Sequence, residues 1–202
     1  MNYVIGDSHV SIFAGQNGLN KPDLLPKFRT FNISARLAFN FGKNDHPVTV
    51  AVDKVLKEIP AGSPVIFSFG EIDCRCHIWD EVSKGAKFHE AVGAAVGQYQ
   101  KGLGHYMNRG FDVYALLPHV IKYKPDGDID SAVGTWAQIT AASKLFNEEM
   151  TKWNEDRCIS LFEWTYDYEV YLRPEYYLDD THLSQKCLPY MLAEVQKRGL
   201  EI

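Results

Sequence analysis

Short apolar runs alternate with segments of helical spacing along the whole chain, and that alternation restricts the fold more than any other feature. Asn2 to Ile5, Pro64 to Phe69, Phe111 to Leu117 and Cys158 to Phe162 read as strands. They are largely continuous apolar runs rather than strict alternations, the pattern of strands buried on both faces. Phe28 to Ile33 reads as a further short strand feeding a helix over Ser34 to Phe41. Val48 to Ile59 places Val48, Val52, Val55, Leu56 and Ile59 on one side of a helix. His89 to Asn108, Thr135 to Asn154 and Gln185 to Arg198 continue the helical pattern. Strands separated in this way predict a three-layer α/β/α sandwich with a mainly parallel sheet of about five strands. With no internal repeat, residues 1–202 fit one domain.

Local signals refine this outline. Gly93, Gly97, Gly102 and Gly104 lower helix propensity within the long middle helix, and close packing against the sheet is the expected reason. Ser184 suits the cap of the last helix and Gly199 its end, while Pro189 delays or kinks its start. Stretches 14–27, 118–133 and 164–181 read as loops. The last two follow strand ends, where open α/β sheets bind ligands. Trp164, Tyr166, Tyr168, Tyr171, Tyr176 and Tyr177 either line a sugar-binding edge there or simply pack the loop.

Composition narrows the class of partner. Hydrophobic residues make up 46% of the chain and the net charge is -5, with no basic run, which argues against nucleic acid. No apolar run approaches the roughly 20 residues that a membrane helix needs. The N-terminus enters the first strand almost at once, without the pattern of a signal peptide, so a cytoplasmic protein is expected. Cys74, Cys76, Cys158 and Cys187 then read as free thiols. Cys74-x-Cys76-His77 lacks the wider spacing and second pair of a structural zinc site. Asp126-Gly127-Asp128-Ile129-Asp130 lacks the Gly and Glu of a calcium loop, having Ser131 and Ala137 in their places. No metal and no cofactor are expected, and oligomeric state is left open.

Two motifs at opposite ends of the chain carry the chemistry. Gly6-Asp7-Ser8-His9 follows the first strand, and Asp179-Asp180-Thr181-His182 precedes the last helix. A serine hydroxyl becomes a nucleophile when a base takes its proton and a third group orients that base. Ser8, His182 and Asp179 supply these roles if the fold brings the chain ends together. Ser8 alone reads equally as a helix cap, a role compatible with oxyanion donation by its amide. His119, just past a strand, is the main rival to His182, and His9 either contacts substrate or supports the turn. Asp180 is expected to face water.

A third stretch, Gly70-Glu71-Ile72-Asp73-Cys74-Arg75, lies between these motifs. Together the three blocks resemble the SGNH/GDSL hydrolases, whose blocks are Gly-Asp-Ser, Gly-x-Asn-Asp and Asp-x-x-His. The middle block is similar to a variant found in a divergent branch of that family. The resemblance implies a flavodoxin-like fold, a serine nucleophile and an oxyanion pocket. It also implies an acyl ester of a carbohydrate or a similar hydroxyl compound as substrate, with acetyl a plausible acyl group. The middle block departs from the family, because Ile72 stands where an oxyanion-binding Asn is expected and cannot donate a hydrogen bond. The glycine of the family's second block is also replaced, with Ser34 or Ala35 in its place.

Candidate oxyanion or substrate-binding residues are therefore Ser34, Ala35, Gly70 and Arg75, with Asp7, His9, Glu71, Asp73 and His119 as supporting residues. Arg75 either completes the pocket or pairs with Glu71 or Asp73. The leading expectation is a serine esterase. A glycan O-acyltransferase using the same triad and a non-catalytic carbohydrate-binding module are the alternatives.

Overall fold

A computed structural model describes residues 1–14, 25–124, 129, 132–167, 170 and 173–202. Five strands, β1 (Asn2–Gly6), β2 (Phe28–Asn32), β3 (Pro64–Ser68), β4 (Asp112–Leu116) and β5 (Cys158–Ile159), form one sheet in the order β2-β1-β3-β4-β5. Every pairing is parallel. Ile5 pairs with Phe67, and Phe67 with Ala115, so apolar residues line up across the sheet.

Side chains alternate between the two faces, as the two-residue period of a strand requires. Ile5, Val65, Phe67, Val113 and Ala115 enter one core, which also holds α2 (Ala38–Phe41), α3 (Pro47–Leu56), α5 (Phe88–Asn108) and α6 (Trp136–Asn154). Val4, Ile66, Tyr114, Leu116 and Ile159 enter the other, against α1 (Ser11–Ala14) and α8 (Leu188–Lys197). The result is the expected three-layer α/β/α sandwich. Two further short helices complete the described α-helices, α4 (Ile78–Ser83) and α7 (Phe162–Thr165).

Strand order reverses between β1 and β3, and the loops leaving them diverge around a crevice at their carboxyl ends. Gly6 is required there: a β-carbon on it would lie 2.3 Å from the Ser68 carbonyl oxygen. The chain ends meet beside β1. Asn2 Nδ2 donates to the Glu201 carbonyl at 2.5 Å, and Gln185 Nε2 donates to the carbonyls of Ser11 and Ile12 at 3.0 and 2.8 Å.

Several elements differ from the sequence pattern. The Ser34 to Phe41 helix shrinks to Ala38–Phe41, because Ser34 turns to a φ of 71° and Leu37 stays extended. The last strand keeps only Cys158–Ile159, since the Ser160 hydroxyl accepts the Phe162 amide and turns the chain into α7. Among the α5 glycines only Gly102 is tightly packed, and its neighbour is Phe41 of α2 rather than the sheet; a β-carbon there would lie 2.3 Å from that ring. At Gly93, Gly97 and Gly104 a β-carbon would meet open space. The last helix begins as a tight turn at Gln185–Cys187 and becomes α-helical at Leu188, so Pro189 sits where its missing amide costs nothing. No helix among the described residues is long and apolar enough to cross a membrane.

Candidate active site

The two end motifs meet at the carboxyl edge of the sheet. Asp7 leaves β1 and accepts the His9 amide on Oδ1 at 3.0 Å, which turns the chain into the short helical segment Ser8–Val10. Ser8 opens that segment, so its amide has no acceptor within it. On the opposite side, Asp179 Oδ1 accepts the amides of Thr181 and His182, each at 2.8 Å. This tight turn sets the carboxylate against the imidazole, and the imidazole faces Ser8.

The three side chains lie in line. His182 Nε2 is 2.6 Å from Ser8 Oγ, and His182 Nδ1 is 2.8 Å from Asp179 Oδ2 and 3.0 Å from Oδ1. An ionised carboxylate only accepts, so Nδ1 carries the hydrogen and Nε2 is left as the acceptor for the serine proton. Burial works against the Asp179 charge, but the two amides and the imidazole outweigh it and hold the pKa at about 2. Partial burial and the nearby His9 push His182 below the ordinary imidazole value, although Asp179 pulls the other way. A neutral His182 beside a charged Asp179 can accept a proton from Ser8 at neutral pH.

His119, the sequence rival, does not contact Ser8. Its Nε2 donates to the Thr181 carbonyl at 2.9 Å, which braces the turn that carries His182. Burial and the nearby His9 press its pKa down to about 3, leaving it neutral. Asp180 does not face water alone. It is ion-paired with Lys124, and its carbonyl accepts the Lys122 amide at 3.0 Å.

Behind the serine lies a buried polar group from the middle block. His9 Nε2 is 3.1 Å from Glu71 Oε2, and Arg75 Nε donates to Glu71 Oε1 at 2.9 Å. Of the two partners expected for Arg75, the structure therefore shows Glu71. Burial opposes ionisation of Glu71, yet His9 and Arg75 prevail and lower its pKa to about 2. Asp73 has a different task. Its two oxygens accept the amides of Ala38 and Phe39 at 2.6 and 3.1 Å, anchoring the start of α2. Burial nevertheless pushes Asp73 up to about 7. Asp7 is also fully buried, with Oδ2 lacking a hydrogen-bond partner among the described residues. Burial raises it to about 6 despite the adjacent His9.

The chain segment expected to supply the oxyanion pocket runs beside Ser8. Gly6 pairs with Asn32 across β1 and β2, and the Ile33 amide donates to the Gly6 carbonyl at 2.8 Å, so Ser34 and Ala35 follow at the level of Ser8. Ser34 adopts the left-handed φ of 71° that favours glycine, which explains a glycine preference at such a position. Its amide is already used by Asn32 Oδ1 at 2.9 Å. Ala35 is exposed, and its amide meets no acceptor among the described residues. Gly70 has a packing reason instead: at φ 110°, a β-carbon would lie 2.9 Å from Phe146 and 3.1 Å from Pro118. Ile72 is half-buried in the turn that follows.

A narrow recess opens beside His9, lined by Asp7, Glu71 and His119 together with Ile12, Leu116, Leu161, Leu183 and Met191. The aromatic cluster lies elsewhere. Trp164 stacks on Tyr190 with centroids 4.1 Å apart, and Tyr176 meets Trp164 edge-on at 5.1 Å. These rings spend much of their surface on one another. Tyr168 and Tyr171, like the stretch 126–130 apart from Ile129, lie outside the described residues. Cys74, Cys158 and Cys187 are buried free thiols and Cys76 is half-buried. Among the described residues, no cluster of His, Cys, Asp or Glu has the arrangement of a metal site.

Sequence reasoning missed the His9–Glu71 bond, the use of Asp73 as an amide anchor and the bracing of Thr181 by His119. Each contact joins residues far apart in the chain, and no local pattern announces it.

No family model matches the sequence, and no curated protein matches it. Solved structures do match the fold. The acetyl xylan esterase AlAXEase aligns with a TM-score of 0.61 at 16% identity, covering 99% of this chain and 100% of that one. An acetylxylan esterase from Geobacillus stearothermophilus aligns at 0.56 and 14% identity, covering 99% and 94%. A GDSL-like lipase from Bacteroides thetaiotaomicron aligns at 0.57 and 14% identity, covering 97% and 85%. The α/β sandwich with its parallel five-stranded sheet is thus the SGNH hydrolase fold.

Proposed function

We propose that this chain is a serine esterase that removes a small acyl group, with acetyl the leading case, from a hydroxyl of a carbohydrate or similar compound. The in-line contact of Ser8, His182 and Asp179 carries the reading. Ser8 Oγ attacks the ester carbonyl while His182 Nε2 takes its proton. The carbonyl electrons move to oxygen, and a tetrahedral oxyanion forms. His182 then returns the proton to the departing alkoxide, leaving an acyl-Ser8 ester. Water attacks that ester with His182 again as base, and carboxylic acid leaves as Ser8 is restored.

Oxyanion stabilisation falls to the amides of Ser8 and Ala35. Ile72 removes one donor of the family pattern, a loss that typically lowers kcat by about 10²–10³-fold. Arg75 is turned onto Glu71 and supports the site from behind in this reading. The carbohydrate class is supported by the acetylxylan esterases among the fold relatives. The chain is taken as one domain without metal or cofactor.

An acyltransferase would run the same first half-reaction and pass the acyl group to a sugar hydroxyl instead of water. Turnover of p-nitrophenyl acetate by the wild-type protein, with stoichiometric labelling by a fluorophosphonate, tests the esterase reading. Ser8→Ala should abolish both. Labelling that persists in Ser8→Ala, or no labelling and no turnover in the wild type, overturns it. Acetate release that falls when an acceptor sugar is added, with the sugar becoming acetylated, shifts the assignment to transfer.

A further inference from the structure

His182 is not the only imidazole in its pocket, and the triad leaves the second one without a task. The ring of His9 stacks on the ring of His182, with centroids 4.5 Å apart and planes inclined by 24°. His119 meets His9 edge-on from another side, at 5.3 Å and 65°. The His9 amide is fixed on Asp7 Oδ1 at 3.0 Å, and its Nε2 is fixed on Glu71 Oε2 at 3.1 Å. Glu71 is held in turn by Arg75 at 2.9 Å. His9 is thus a ring restrained by its own backbone, by an ion pair and by two neighbouring imidazoles.

The charges around it favour a proton. Glu71, ionised down to about pH 2, and Asp7, ionised above about pH 6, face His9 with negative charge, against the cation of Arg75, and His119 is neutral. Burial disfavours a charged His9, but the two carboxylates prevail and raise its pKa above the ordinary imidazole value. His182, facing His9 on one side and Asp179 on the other, moves the opposite way. Two unit charges 4.5 Å apart repel by the equivalent of roughly 0.7 pH unit even at the dielectric of bulk water. A charged His9 therefore opposes protonation of His182 at rest.

We propose that His9 is a positioning residue: an imidazolium carried on Glu71, whose stacked ring fixes the plane of His182 and keeps His182 free to accept the Ser8 proton at mildly acidic pH. The inference rests on the reading of Ser8, His182 and Asp179 as a catalytic triad. It adds a device that extends activity toward acid at some cost in the strength of the base.

The test is the pH profile of kcat/KM for p-nitrophenyl acetate in wild type and His9→Phe, which keeps a stacked ring and removes the charge. The acidic limb should move upward by about one pH unit, while the alkaline plateau changes by less than about tenfold. An unmoved limb with a lowered plateau gives His9 a purely structural role and overturns the proposal. Because His9→Phe strands Glu71 against Arg75 alone and risks misfolding, NMR titration of the imidazoles in the wild-type protein provides a second readout. His9 should hold its proton at a pH where His182 has lost its own. His182 protonating first, or both rings titrating together, overturns the proposal. The NMR order does not depend on turnover, whereas absence of Ser8-dependent turnover in the wild type sinks the esterase reading itself, so the two failures are distinguishable.

Discussion

The front and the back of this site are held by different physics. At the front, Ser8, His182 and Asp179 touch through a few aligned hydrogen bonds, and their side chains reach solvent: His182 is 22% and Asp179 52% exposed. At the back, Asp7, Glu71 and Asp73 are buried carboxylates, two of them with no exposure at all. A front built this way can change its proton without disturbing the fold. A back built this way fixes backbone segments, because each carboxylate must find donors or a counter-charge to be tolerated in the interior. His9 belongs to both, stacked on the front ring and bonded to the back carboxylate. Chemistry and stability should therefore separate when the two regions are mutated independently.

The largest expected separation is at Asp179. Asp179→Asn keeps an oxygen for the amides of Thr181 and His182 but presents an amide to His182, favouring the wrong tautomer. A loss of about 10⁴-fold in kcat is expected, with a melting temperature within about 2 °C of wild type. Steady-state kinetics and calorimetry on one preparation check both halves. A kcat reduced less than tenfold would mean that Asp179 does not orient the base, and the front would lose its distinguishing property.

Glu71→Ala probes the back. It leaves Arg75 and His9 without their shared carboxylate in a region where Glu71 is only 4% exposed. Breaking a buried pair from one side costs about 3–5 kcal/mol, which corresponds to a melting point lower by about 10 °C in a domain of this size. At the pH extremes the same linkage appears in the wild type. The Glu71 pKa is lowered from 4.5 to about 2, so its contribution is complete above pH 4.5 and fades as the pH falls toward 2. Glu71→Ala and the wild type should consequently converge in stability as the pH falls through about 2. A Glu71→Ala protein that melts like wild type at pH 7 would erase the contrast between the regions.

The same division governs what the amino-acid sequence reveals. Gly6-Asp7-Ser8 and Asp179-x-x-His182 are local patterns whose roles depend on spacing, and the continuous apolar strands imply the parallel sheet that brings them together. The back depends on contacts between residues distant in sequence, such as His9 with Glu71 and Asp73 with Ala38, and spacing says nothing about those. Glu71 and Asp73 sit two residues apart and look interchangeable as partners for Arg75. The helical backbone that runs through both separates them, since residues two apart on a helix face different sides, and aims Glu71 at Arg75 and Asp73 at the amides of α2. β5 is shorter than its apolar run for a related reason: Cys158 to Phe162 is apolar enough for a strand, but the Ser160 hydroxyl captures the Phe162 amide and ends it. A side chain that competes for a backbone amide overrides an apolar run.

Asp7 provides the smallest effect and one of opposite sign. Burial raises its pKa from 3.8 to about 6, so the folded state holds the proton more tightly than the unfolded chain does. Its favourable contribution is complete below pH 3.8 and is lost as the pH rises through about 6, which leaves the native protein carrying a buried charge at pH 8. One oxygen has a partner, the His9 amide, and the other has none among the described residues. Asp7→Asn keeps the oxygen for His9 and removes the charge. The new amide group needs an acceptor, and His9 loses a nearby anion, so part of the gain is offset. A net stabilisation of roughly 1–2 kcal/mol at pH 8 remains, shrinking to zero or reversing by pH 4. Thermal melts of both proteins across that range check the sign and the slope. A difference that stays constant with pH would show that Asp7 titrates alike in the folded and the unfolded protein, so that burial does not raise it. Asp7 would then be a buried carboxylate whose charge the His9 amide and the neighbouring His9 ring compensate in full, and the back of the site would hold no opposing charge.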